Sequence, residues 1–398
     1  VAVLRTHRGT RRAALALVLL VALVVILYRV FVPREILDRA DQSYPPRAVP
    51  VAGVYGAVLA APIVVDGRLR VYAAADRVWA DQPVGIKSSM TPYWVLRRWP
   101  HQVLGVVAVG RTVVSQWTGG DLVGQDAGTG RITWRANVPV GSALGYPGRR
   151  TGAAAVYQPW NLSTMDGQVV VAGSTGITVL DPARGAVRWR APGGCRGQIF
   201  TAASTVFCPG DGFTIRAYTA TGTALDLPWP DGATRLAPFG CAPARSDCQG
   251  LRGDGRAYLI GPGGELVPQP ALADPDSALV DGVVAAPGPY GSVTGTGLTD
   301  GVRRWAWTGP VPARVLAVQP GAVHLLTADF DLVTLDPATG AVRSGFWLLV
   351  LKNTRFTPGH VYAADRFVFI ERLNPGEAAT GNDSAYYYPS PAVLVAGT

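Results

Sequence analysis

The chain has 398 residues, with 36 Lys plus Arg, 27 Asp plus Glu, 48 Gly, 32 Pro and four Cys. At 48% hydrophobic and 16% charged it is not a disordered polyelectrolyte, and four cysteines over this length exclude a small disulfide scaffold. The net charge of +9 is local: Arg5, Arg8, Arg11, Arg12, Arg29 and Arg34 lie in the first 34 residues, which hold no acid, so 30 basic and 27 acidic residues remain, or +3. A nucleic-acid binder carries its basic stripe on the folded domain. No nucleic-acid partner is expected.

The first element is apolar. Ala13–Tyr28 holds no charge, and sixteen residues at about 1.5 Å each reach roughly 24 Å. Continuing through Val30–Val32, with the Arg29 guanidinium snorkelling to the headgroups, completes a membrane span. Residues 1–12 are therefore expected as a basic cytoplasmic tail and 13–32 as a transmembrane signal anchor, because Arg flanks mark the inner side. The segment after it, Arg29 to Arg34, lacks the small residues of a cleavage site. These features predict a single-pass protein of the cell membrane, its N-terminus cytoplasmic and the rest extracytoplasmic. Arg11-Arg12 is a poor twin-arginine match. Only Lys87 and Lys352 are Lys, which fits a high-GC bacterial genome. Residues 33–50, ending in QSYPPRAVP, read as a Pro-containing linker.

From residue 51 onward, short Val-, Ile-, Leu- and Tyr-rich runs alternate with Gly, Asp and Pro, the texture of strands and turns. The runs repeat. Leu122–Asp126 leads through Gly130 to Trp134, Ile177–Asp181 through Gly185 to Trp189, and Leu332–Asp336 through Gly340 to Ser344, with Trp347 slightly later. Weaker copies place the turn glycine at Gly222, Gly264 and Gly301, the last with Trp305, and the outer candidates are Gly85 and Gly376. A period near 40 residues with about four short strands is a propeller blade. The marks predict an all-β propeller of about eight four-stranded blades over 51–398; two weak outer marks leave seven open. The final run, Ala392–Ala396, is expected to pair near the N-terminal blade and close the ring. Gly suits the positive φ of the turn, Asp initiates it, and each Trp is expected to pack between blades with its indole N–H on a backbone carbonyl.

The strings GQDAGTGRITW, VLDPARGAVRW and TLDPATGAVRS resemble the tryptophan-docking repeat A-x-D-x-x-T-G-x-x-x-W of quinoprotein-type (PQQ-like) β-propellers. The resemblance covers residues 51–398 through three clear units and several poor ones. It implies either an oxidoreductase that binds PQQ with calcium or a noncatalytic member that works by protein contacts.

An enzyme of that class is expected to show the family's adjacent Cys pair, and here no two Cys adjoin. No PQQ- or calcium-binding residue can be carried across, and no cofactor is expected outside the oxidoreductase alternative. His7, His101, His324 and His360 are scattered and match no metal spacing. Neither Gly173–Gly176 nor Gly295–Asp300 completes a nucleophile or nucleotide motif, and both read as blade turns. Cys195, Cys208, Cys241 and Cys248 are expected as two disulfides in an oxidising compartment. Near-neighbour pairing closes the shortest loops, though spacing leaves the connectivity open. Two loops rich in aromatic and Arg residues are candidate binding surfaces: Tyr93, Trp94, Arg97, Arg98 and Trp99, and Tyr386, Tyr387 and Tyr388. The leading expectation is a nonenzymatic module that binds an envelope protein or serves as a scaffold. A PQQ-dependent quinoprotein oxidoreductase and a glycan-binding propeller are the alternatives.

Overall fold

A computed structural model of the chain describes residues 14–25 and 34–398, apart from 85–91, 142–144, 211–213, 226, 228, 229, 231, 232, 234, 350–354, 379–382 and 388–390. Its strands form eight antiparallel sheets, seven of four strands and one of five. The sheets are blades around a central channel, so the fold is an eight-bladed β-propeller. In the second blade, Val103–Val109 is innermost, followed outward by Thr112–Trp117, Asp121–Asp126 and Ile132–Asn137. Val113 and Val114 point to opposite faces of that sheet, and both are buried. Each blade face is covered by a neighbour, which is why these strands read as continuous Val runs rather than alternating ones.

Closure uses the two ends of the folded region. Val393–Gly397 pairs with Gly53–Val58, which supplies the outermost strand of the eighth blade. The expected closure strand is therefore present. Gly376 does not mark an outer turn as expected, because it lies between the second and third strands of this blade and the fourth comes from the other end of the chain. Gly85 falls outside the described residues. Gly222, Gly264 and Gly301 do sit at outer-strand turns with positive φ.

Within the stretch expected as a linker, Arg34–Asp38 pairs antiparallel with Trp94–Trp99 and adds a fifth, outermost strand to the first blade. The following residues run along the propeller: the Ala40 amide donates to the Thr129 carbonyl, and that of Ala48 to the Gly67 carbonyl. Residues 14–25 form a short apolar helix with exposed side chains. Among the described residues no helix is long and apolar enough to cross a membrane.

Both disulfides follow the near-neighbour pairing, Cys195–Cys208 and Cys241–Cys248.

Candidate functional site: the channel and the blade seams

The turns explain the acids of the repeat. Asp181 Oδ1 accepts from the Ala183 and Arg184 amides, and Asp336 Oδ1 from those of Ala338 and Thr339. The Gly185 and Gly340 amides then close onto the carbonyls of Asp181 and Asp336. Arg188 and Arg343 pair with the same two carboxylates, and Arg304 with Asp300. The Arg188 hydrogen bond, joined by the turn amides, holds the Asp181 carboxyl below its ordinary range. The repeat therefore includes an Arg that locks the turn Asp, a partner not apparent from sequence because Arg is common throughout this chain.

The tryptophans dock as expected. Trp134 Nε1 donates to the Pro182 carbonyl at 2.6 Å, Trp189 to Ala220 at 2.8 Å and Trp305 to Pro337 at 2.7 Å. In each case the acceptor lies in the outer turn of the next blade. The turn glycine admits the ring: a Cβ on Gly340 would lie 2.6 Å from Trp305 Cγ, and one on Gly185 2.4 Å from Trp134 Cε3. Gly124 and Gly295, on the adjacent strand of the same blade, lie under Trp134 and Trp305. Sequence reading did not single out these two glycines, although both lie at the same offset before the turn.

Trp94 belongs to this set. It is 1% exposed, donates to the Ala127 carbonyl at 2.8 Å and packs on Gly130. It is a blade-seam tryptophan and has no face open to a ligand. Tyr93 is also buried, its hydroxyl donating toward the Gln42 and Gly128 carbonyls. The run 94–99 is a blade strand, not a loop as expected. Arg98 pairs with Glu35 and Asp121 beneath the Trp117 ring, whereas Arg97 pairs with Asp76 at the surface. Trp99 is 46% exposed. In the second candidate loop, Tyr386 and Tyr387 are buried, and the Arg372 guanidinium lies 4.4 Å from the Tyr387 ring centre. Tyr388 lies outside the described residues. The two clusters are thus not brought together as one binding surface; the period-two burial of a strand hid most of the first, and packing onto Arg372 hid most of the second.

The channel carries two inserts of the chain itself. The helical turn Ala153–Tyr157 packs on strands of the first, second and eighth blades. The turn Pro243–Arg245, inside the loop closed by Cys241–Cys248, packs on the innermost strands of the second, third and fourth blades, and the two inserts touch. Ala155 and Val156 are fully buried, and Ala244 is 1% exposed. Beside the inserts, a cavity of about 740 Å³ follows the innermost strands of the fifth to eighth blades, bordered by Gln249, Asp281, Val315 and Asp365. A second, of about 410 Å³, lies by Tyr157, Phe239, Arg245 and His360.

One carboxylate–imidazole pair borders the smaller cavity. Glu371, 1% exposed, accepts from His360 Nδ1 at 2.7 Å, from the His360 amide at 3.0 Å and from the Thr151 hydroxyl. Burial alone would raise the Glu371 carboxyl, but these hydrogen bonds outweigh it and hold the group below the ordinary carboxylate range. The Thr151 hydroxyl is directed to the carboxylate, and the nearby sulfur, Cys241, is in a disulfide. The arrangement orients an imidazole without presenting a nucleophile to it. Elsewhere, burial lowers His324 to about 4; its ring nitrogens contact Gln319 Nε2 at 2.7 Å and the Thr334 hydroxyl at 3.1 Å. The described residues hold no group of three or more His, Cys, Asp or Glu placed to bind a metal ion.

No protein-family model matches the chain, and no curated protein matches it. Solved structures similar in form include BamB from Moraxella catarrhalis, at 12% identity and a TM-score of 0.38, covering 92% of this chain and 100% of that one. A computationally designed protein, Ika8, is similar at 14% identity and a TM-score of 0.48, covering 90% and 100%. The quinohemoprotein alcohol dehydrogenase from Comamonas testosteroni is similar at 14% identity and a TM-score of 0.38, covering 85% of this chain and 72% of that one. These likenesses concern form; the eight-bladed propeller is established by its own sheets.

Proposed function

We propose that this protein is a nonenzymatic binding module of the cell envelope, tethered to the cytoplasmic membrane by its N-terminal segment and acting through protein contacts. The observation that carries the reading is the use of the channel. Ala153–Tyr157 and the Cys241–Cys248 loop fill the channel beside the first four blades and touch each other, so the chain spends this part of the channel on its own packing. The turn acids are likewise engaged in their own turns. A rigid ring with outward links is left as the working surface. Support for the tether comes from the apolar helix 14–25 and the Arg residues on both sides of it. Two disulfides suit an oxidising compartment.

The test is native mass spectrometry of the full-length protein extracted from its own membrane. A stoichiometric protein adduct is the expected result. Dye-linked alcohol or sugar oxidation that requires added PQQ and calcium would overturn the reading in favour of an oxidoreductase.

A further inference from the structure

The strongly exposed aromatic residues among those described are Trp99, Trp160, Tyr290 and Trp347, at 46%, 49%, 101% and 43% exposure. All four lie on one face of the ring. Blades are related by rotation about the channel, so their fourth strands, counted from the channel, run the same way and end on the same face. Trp99 ends the fourth strand, Trp94–Trp99, of the first blade, and Trp347 ends the fourth strand, Val342–Trp347, of the seventh. Trp160 lies in the link from Ile132–Asn137 to Leu162–Met165. Tyr290 lies between Val283–Pro287 and Val293–Gly297, the second and third strands of the sixth blade. Antiparallel order brings both links to that face. The opposite face is built from the turns Asp66-Gly67, Asp166-Gly167 and Asp281-Gly282 and from the Asp-x-x-x-Gly loops, and it carries no strongly exposed aromatic ring among the described residues.

The same face is where the N-terminal segment departs. Arg34 pairs with Trp99, so the chain before Arg34 leaves beside that ring. Eight residues, 26–33, separate it from the apolar helix 14–25. At up to about 3.5 Å per residue they span no more than roughly 28 Å. Tyr290 adds a conformational sign: its φ of 55° is uncommon for a side chain of this size, and the turn Pro289–Gly291 holds the ring wholly in solvent.

We propose that this face lies against the lipid headgroups, with Trp99, Trp160, Tyr290 and Trp347 as interfacial anchors, and that the turn face is directed away from the membrane. Trp and Tyr favour the membrane–water interface because an apolar ring carries a polar edge. The distribution of the rings selects a lipid plane over a protein partner. They belong to the first blade, the link between the second and third, the sixth and the seventh, whereas a protein hot spot gathers at one centre. A plane reaches all four together. The proposal rests on the tethered reading above.

The test uses the full-length chain in vesicles of phosphatidylethanolamine and phosphatidylglycerol with brominated acyl chains. Bimane is attached at Tyr290→Cys, at Trp160→Cys and, on the opposite face, at Val342→Cys. Flotation of the vesicles in high salt reports the tether independently. The expected result is flotation of all three variants, with bromolipid quenching of the labels at 290 and 160 and none at 342. Flotation with no quenching at 290 and 160, or with equal quenching at all three, overturns the docking while leaving the tether in place. Failure to float overturns the tether and the docking with it. Quenching at only one of the two labelled rings also overturns the proposal, because a plane must reach both.

Discussion

The seams between blades are of two kinds. Where the first blade meets the second, the second the third, the third the fourth and the sixth the seventh, a tryptophan crosses onto the turn of the next blade and its indole N–H is satisfied there. Around the fifth blade the described residues show no such tryptophan. Leu225 and Leu227 approach Gly264 in place of a ring, and Gly301 has no atom within 4 Å of the position a Cβ would take. The fifth blade is also where the link between the two paired inner strands forms the Cys241–Cys248 loop that enters the channel. A docked seam fixes blade spacing through one large ring and one hydrogen bond. An undocked seam leaves that spacing to smaller side chains; at the seam with the fourth blade the covalently closed loop adds a link, the Cys248 amide donating to the Thr201 carbonyl.

Removing a docked ring should therefore have the largest effect. Trp305 is 7% exposed and packs with Val323, Leu325 and Leu335. Trp305→Ala loses that burial and leaves the Pro337 carbonyl without its donor, an expected cost of about 3–5 kcal/mol. Leu225→Ala, at the undocked seam, should cost distinctly less, because that side chain is only partly buried. Chemical denaturation of both variants tests the distinction; equal losses would mean that the tryptophans are no more than ordinary core residues.

The apolar seam between the seventh and eighth blades includes one buried polar contact, and that contact predicts a pH dependence. His324 lies at 0% exposure beside Gln319, whose Oε1 accepts from the Arg366 amide of the eighth blade. Burial lowers its folded pKa to about 4 from the ordinary 6.5. Between these values the unfolded chain binds a proton that the native chain does not, so stability falls as the pH drops from about 6.5 to about 4. The full loss is roughly 3 kcal/mol, with no contribution to the slope above that window. Denaturation midpoints of the parent and His324→Gln across this range check it: the variant should lose this component of the slope.

How much of this was legible depends on whether a feature is carried by local spacing. The three clear repeats revealed the blade because Asp, Gly and Trp sit at fixed offsets within one hairpin, where both partners are close in sequence. Trp94 docks on the next blade's turn at Gly130 as the other tryptophans do, but its own hairpin near Gly85 lacks the repeat's offset from Gly to Trp, so the pattern does not reveal it. The eighth mark, Gly376, gave a count that agrees with the eight blades although the outer strand of that blade comes from Gly53–Val58; chain closure is non-local and has no signature at either end alone. The plug was invisible for the same reason. Nothing in Ala153–Tyr157 or Pro243–Arg245 indicates that two links enter one channel, since only the assembled ring defines that space.

The loop that links the fifth blade to the fourth is the next test of the comparison. Cys241 and Cys248 are 7 residues apart, and closing a loop of that length removes unfolded-state entropy worth about 2.5 kcal/mol in the chain-entropy model. The double variant Cys241→Ser/Cys248→Ser should lose about that much. Hydrogen exchange should rise at Phe239 and Gly250, which border the loop, ahead of the docked strands Val103–Val109 and Val169–Val171. Uniform acceleration throughout the ring would show that the loop does not serve the undocked seams in particular.

The smallest expected effect separates docking from backbone conformation. Gly340 and Gly301 occupy the same position in successive blades, with φ of 70° and 66°. Alanine at either incurs the left-handed backbone penalty of about 1 kcal/mol. At Gly301 that is the whole expected cost, because no atom lies within 4 Å of the new Cβ. At Gly340 the Cβ would meet Trp305 Cγ at 2.6 Å, so the ring must withdraw and the Pro337 hydrogen bond must lengthen. Gly340→Ala should therefore destabilise by more than Gly301→Ala, and the excess should vanish in a Trp305→Ala background. If the excess survives removal of the ring, the difference between docked and undocked seams resides in the turn backbone and not in the tryptophan.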